Sequence, residues 1–109
     1  MVALERLKQL IDQIPQDKRL AVWGTGHHAS MLLANTSLSE KSIIRVYDSD
    51  VRKHVYTFHG VKIHSFDEND IYDKKIDGIL VATYTAQKEI SKVLENYKDL
   101  CTIYYLYDM

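Results

Sequence analysis

The sequence predicts a three-layer α/β domain: a parallel five-stranded sheet between helices, with one extra helix ahead of the first strand. Two patterns carry this expectation. Short continuous apolar runs, such as Leu20-Ala21-Val22-Trp23 and Ile79-Leu80-Val81-Ala82, read as strands covered on both faces, because a strand open to water on one side alternates instead. Between these runs lie segments with apolar residues three and four apart, the period of a helix with one buried face. Strands alternating with helices build βαβ units, whose crossovers are right-handed. With one chain reversal after the third strand, the expected strand order is 3-2-1-4-5.

The elements follow in order. A helix is expected over 2–14, with Leu4, Leu7, Leu10, Ile11 and Ile14 on one face. Pro15 disfavours its continuation. This helix has either to cover the sheet or to serve as the face of a homodimer. The polar stretch Gln16-Asp17-Lys18-Arg19 leads into the first strand, which ends at Gly24. A helix over Ala29-Ser30-Met31-Leu32-Leu33-Ala34 stops near Asn35, and Ile43-Ile44-Arg45-Val46-Tyr47 forms the second strand. Gly60 divides the next segment into an irregular extended stretch, Val55-Tyr56-Thr57-Phe58, and a short strand, Val61-Lys62-Ile63-His64. A brief helix over 66–72 precedes a strand over 76–83. A helix over 85–97 carries Ile90, Val93, Leu94 and Tyr97 on one face, and a closing strand over 101–107 is rich in β-branched and aromatic residues. The sequence contains no repeat, linker or low-complexity stretch, so 1–109 reads as one domain with 1–15 as its N-terminal helix.

Composition narrows the function classes. A formal net charge of −1, with basic residues scattered, gives no field to recruit nucleic acid or an anionic membrane. No apolar run reaches the ~18 residues of a membrane span, and no signal-peptide layout opens the chain; a cytoplasmic location is expected. Cys101 is the single cysteine, which excludes an intramolecular disulfide and reads as a small buried hydrophobe rather than a nucleophile. The histidines are His27, His28, His54, His59 and His64. Adjacent rings do not normally share one ion, and no Cys/His ligand spacing occurs, so no metal is expected.

The chemistry concentrates in Gly24-Thr25-Gly26-His27-His28-Ala29. This matches the Rossmann-like dinucleotide fingerprint GxGxxA, in which each small residue has a task. Gly24 lets the chain leave the strand sharply, Gly26 lets a pyrophosphate approach the backbone, and Ala29 keeps the helix close to the sheet. The helix that follows offers unpaired N–H groups and a positive dipole end to an anion. His27 and His28 either contact that phosphate or crowd it. Asp48 ends the second strand, at about the ~20-residue spacing expected of a carboxylate that binds a ribose diol. The alternative is that it caps a turn with Ser49 and Asp50. Thr83, Tyr84 and Thr85 follow the fourth expected strand and face the ligand crevice of an open α/β sheet.

These residues, together with Lys53, Gly60-Val61 and the run from Asp77 to Ile90, resemble a family of small Rossmann-like modules of bacterial surface-polysaccharide and nucleotide-sugar pathways. The chain from Leu20 onward looks like the N-terminal domain of sugar-nucleotide dehydratases or epimerases and of sugar O-acyltransferases. The resemblance implies binding of NAD or a nucleotide-sugar without implying catalysis; a glycosyltransferase or methyltransferase partner belongs to the alternative of a non-binding scaffold. Bulky imidazoles in the turn depart from that pattern. Tyr84-x-x-x-Lys88 has the spacing of the proton-donor pair of short-chain dehydrogenases, but it follows the wrong strand and no partner serine is evident. The run Tyr104-Tyr105-Leu106-Tyr107 reads as aromatic packing before it reads as a base-stacking platform. The expected function is a nucleotide-binding module without a complete catalytic apparatus, the alternatives being a non-binding scaffold and a small oxidoreductase.

Overall fold

A computed structural model describes residues 4–107. The start of the N-terminal helix expected at Val2 and Ala3 lies outside the described residues. The described residues form six strands and four α-helices. The strands are β1 (Arg19–Trp23), β2 (Ser42–Tyr47), β3 (Thr57–Phe58), β4 (Val61–His64), β5 (Gly78–Val81) and β6 (Thr102–Tyr105), and the helices are α1 (Leu4–Asp12), α2 (His27–Asn35), α3 (Asn69–Tyr72) and α4 (Gln87–Leu94).

The strands form one mixed sheet in the order β3-β4-β2-β1-β5-β6, which corrects the expected five-stranded, all-parallel arrangement. The difference is β3, which pairs antiparallel with β4, whereas the pairs β1–β2, β1–β5, β2–β4 and β5–β6 are parallel. A two-residue turn makes this hairpin. His59 (φ 52°) and Gly60 (φ 78°) are both left-handed, as a tight primed turn requires, and the chain folds straight back on itself. Gly60, expected to separate an irregular stretch from a strand, instead joins two paired strands.

β1 lies at the centre, and its residues divide between two cores. Leu20 and Val22 join Leu7 and Ile11 of α1 and Ala29 and Leu32 of α2. Ala21 and Trp23 join Ile71 of α3 and Ile90 and Leu94 of α4. Alternate residues of one strand thus serve opposite faces, and Leu20, Ala21 and Val22 have no exposed surface. The N-terminal helix covers the sheet through Leu7 and Ile11. It is shorter than its apolar spacing implied, ending before Pro15. The carbonyl of Ile14 accepts from Lys41 Nζ at 2.8 Å, which satisfies a lysine only 7% exposed.

Four other expected elements shift, and the first of these is the strand over 76–83, which keeps only Gly78–Val81. The helix over 66–72 begins only at Asn69, whose N–H donates to Asp67 Oδ1 at 2.9 Å, and Phe66 ahead of it stacks on Trp23 with ring centroids 4.8 Å apart. The helix over 85–97 shortens to α4 and passes into a 3₁₀ turn, Glu95–Tyr97. The closing strand keeps only Thr102–Tyr105. A radius of gyration of 12.8 Å matches the ~13 Å of a single folded domain of this length.

Candidate functional site

Gly24 and Gly26 stand at the C-terminal end of β1, and the fold uses them differently. Gly24 has φ +117°, a conformation that L side chains rarely adopt. Its N–H donates to the Tyr47 carbonyl at 2.8 Å, and a Cβ there would lie 3.2 Å from Thr83 Cβ and 3.3 Å from the Ala82 carbonyl carbon. Gly24 is therefore demanded by the backbone and its neighbours. Gly26 caps the start of α2 at an ordinary φ of −80°. A Cβ on it would meet only the Lys53 ammonium, 4.0 Å away. Gly26 has no side chain to cap α2, so no N-cap side-chain bond satisfies the first N–H groups of the helix.

Asp48 turns inward to this turn. Its Oδ2 accepts from the Thr25 N–H at 3.1 Å and from Thr25 Oγ1 at 2.6 Å. Its Oδ1 accepts from the Asp50 N–H at 2.9 Å, the turn-capping geometry weighed as the alternative to a ribose contact. Lys53 Nζ stands 3.7 Å from Oδ2. Burial alone would raise the Asp48 carboxyl, but the bonds from Thr25 and Asp50 and the Lys53 charge together hold it below the ordinary carboxylate value. Thr25 and Asp48, expected to grip different parts of a ligand, are bonded to each other.

The glycine turn separates two clefts. The larger, about 330 Å³, is lined by Trp23, Gly26, Lys53, Glu89, Ile90 and Val93 among others. The smaller, about 220 Å³, is lined by Gly26, His27, His28, Thr83, Tyr84 and Thr85 among others. Gly26 and Thr83 border both. Among the expected residues, exposed His27 faces only the smaller cleft. His28 pairs with the Tyr107 hydroxyl, and burial followed by the charge of neighbouring His27 pushes its pKa down. The ring is tied to the C-terminal segment through that bond. Tyr84 is 62% exposed and meets Tyr107 edge-to-face, centroids 4.9 Å apart. The buried side chain of Gln87 donates to the Tyr107 carbonyl at 2.7 Å and accepts from its N–H at 3.3 Å. The C-terminal tyrosines are thereby used in packing.

Three residues of the larger cleft escaped the spacing rules: Lys53, Trp23 and Glu89. Lys53 rides on a 3₁₀ turn, Val51–Val55, opened by Asp50, whose side chain accepts from the Arg52 N–H. An Asp followed by a basic run is the signal that could have located it. Trp23 was legible as a strand end but not as a cleft wall. Glu89 sits in the first turn of α4, and nothing in its spacing marked it as a cleft residue. Burial pushes the Cys101 thiol up to about 11, so it carries little thiolate near neutral pH. Among the described residues, no group of three or more His, Cys, Asp or Glu side chains is arranged to hold a metal ion. Among them, too, no helix is long and apolar enough to cross a membrane.

Fold and site together define an α/β domain with an open glycine-turn cleft at the C-terminal end of its parallel strands. Residues 16–99 match the family described as C2185-like, N-terminal, and the chain belongs to that family. No curated protein and no solved structure matches it.

Proposed function

We propose that this domain is a Rossmann-like binding module that takes a phosphorylated ligand of the nucleotide class at Gly24-Thr25-Gly26. The observation that carries the reading is Gly26. Neither its φ of −80° nor any neighbour within the protein calls for glycine, so a missing Cβ serves whatever approaches the helix start from outside. The Lys53 ammonium, 4.0 Å from that Cβ position, and the uncapped N–H groups of α2 suit an anion. The chemistry at the turn is one of holding and orienting charge. The family resemblance noted from the sequence adds NAD or a nucleotide-sugar as candidate ligands, in cell-surface carbohydrate metabolism. A second reading, a scaffold that binds no nucleotide and partners another enzyme of such a pathway, is favoured by one observation. Asp48 already occupies the Thr25 donors.

A thermal-shift panel of inorganic pyrophosphate, ADP, UDP, NAD and a uridine-diphosphate hexose separates the two. A ligand at ~100 times its dissociation constant adds about 2.7 kcal/mol, a rise of roughly 10 °C or more for a domain of this size. Gly26→Val is expected to lower the unliganded midpoint by roughly 4–8 °C, the cost of a poorer α2 N-cap, and to abolish the ligand-induced rise. Failure of the whole panel selects the scaffold, and a rise undiminished in Gly26→Val removes the turn from the site.

A further inference from the structure

The larger cleft holds two carboxylates in very different states. Asp48 has two oxygens with about four acceptor positions. Three receive protein donors at 2.6–3.1 Å, Lys53 stands 3.7 Å away, and only 15% of the side chain is exposed. A hydroxyl arriving from a ligand would have to displace Thr25 or Asp50, and with it the geometry of the glycine turn. Glu89 lines the same cleft from α4. Its side chain is 74% exposed, and its ion pair with Lys92, one helical turn away, spans 3.7 Å. Such exposed pairs are weak and easily exchanged for another partner.

Building on the phosphate site proposed above, we infer that Glu89, and not Asp48, is the carboxylate that accepts hydrogen bonds from the hydroxyls of the ligand. The cleft then takes a phosphorylated polyol such as a nucleoside phosphate. Its anionic group meets Lys53 and the glycine turn, and its neutral hydroxyl donors meet Glu89. Trp23, Ile90 and Val93, which line the same cleft, offer apolar surface to the rest of the molecule. A ligand bearing a second phosphate on the ribose would set two negative charges together at Glu89, so the cleft discriminates against it.

Calorimetric titration of the full chain tests this with inorganic pyrophosphate, ADP, UDP and the 2′,3′-dideoxy forms of both nucleotides. In the parent protein at least one nucleotide is expected to bind roughly tenfold or more tightly than its dideoxy form, the effect of one hydrogen bond to a charged group. In Glu89→Ala that preference is expected to fall below about twofold, while pyrophosphate still binds. Alanine favours helix at this exposed position, and an unchanged thermal midpoint confirms that the variant is folded. Pyrophosphate binding without any hydroxyl preference in the parent, or a preference that survives Glu89→Ala, overturns the role of Glu89 and leaves the phosphate site standing. If neither pyrophosphate nor any nucleotide binds, the phosphate site falls and the role of Glu89 falls with it.

Discussion

The two ends of the parallel strands are built on opposite principles. At the N-terminal end, charged groups close on one another. Arg19 Nη2 and Nε donate to the two oxygens of Asp77 at 2.9 and 3.0 Å, and the Arg19 N–H adds a third bond at 2.9 Å. At the C-terminal end, Gly24, Gly26 and Thr83 leave two clefts between the loops. There Lys53 is shared between Asp48 and open space, and Glu89 has only a distant partner. The same strands thus supply a clamp at one end and a receptive surface at the other. Their difference lies in whether polar groups are satisfied within the chain.

The sharpest break of this contrast is expected at Gly24. Gly24→Val forces a β-branched residue to φ +117° against the Ala82 backbone and is expected to cost about 3 kcal/mol. Chemical denaturation of this variant beside Gly26→Val reads the difference directly, since the latter, which only puts a poorer residue at the α2 N-cap, is expected to cost about 1 kcal/mol. Equal losses at the two positions would erase the division between a glycine the fold needs and one the ligand needs. A smaller effect is expected from Gln87→Ala, which leaves the partly buried Tyr107 N–H and carbonyl without their partner, at about 2 kcal/mol. Hydrogen exchange should then show the segment after β6 opening while β1 stays protected.

The smallest effect belongs to the closed end. Side-chain and then backbone bonds from Arg19 hold the Asp77 carboxyl down at about 2. A carboxyl depressed on folding contributes its stability above its unfolded value near 4 and loses it as pH falls toward 2. Asp77→Asn is expected to cost under 1 kcal/mol at neutral pH, because the pair is exposed to solvent. It should also flatten the stability profile between pH 4 and pH 2. Binding of the proposed ligand at the far end should be unaltered, and a weakened affinity would show that the two ends are coupled.

Much of the architecture could be read in advance, and the reasons are physical. Leu20-Ala21-Val22-Trp23 is apolar without a break because both faces of β1 are covered, and a continuous run records that in the sequence alone. β3 was hidden because two residues carry no periodicity. Its only trace was Gly60, two residues past Phe58, with a histidine where asparagine would have advertised the turn. The site was legible in part. GxGxxA located the turn, but Asp48 and Thr25 are 23 residues apart, and no spacing rule says that they satisfy each other. Lys53 and Glu89 reach the cleft from different elements, and only the packing of α4 against Trp23 brings their walls together.

The short hairpin has a consequence for how molecules of this protein meet one another. An open sheet edge invites a neighbouring chain to add a strand, the first step toward aggregation. β4 would be such an edge, but β3 caps it, and β3 is only two residues long and turns back at once through His59 and Gly60. A newcomer finds too short a ladder to extend. On the opposite side, β6 carries four residues as the outermost strand. Any tendency of this protein to associate edge to edge should therefore begin there.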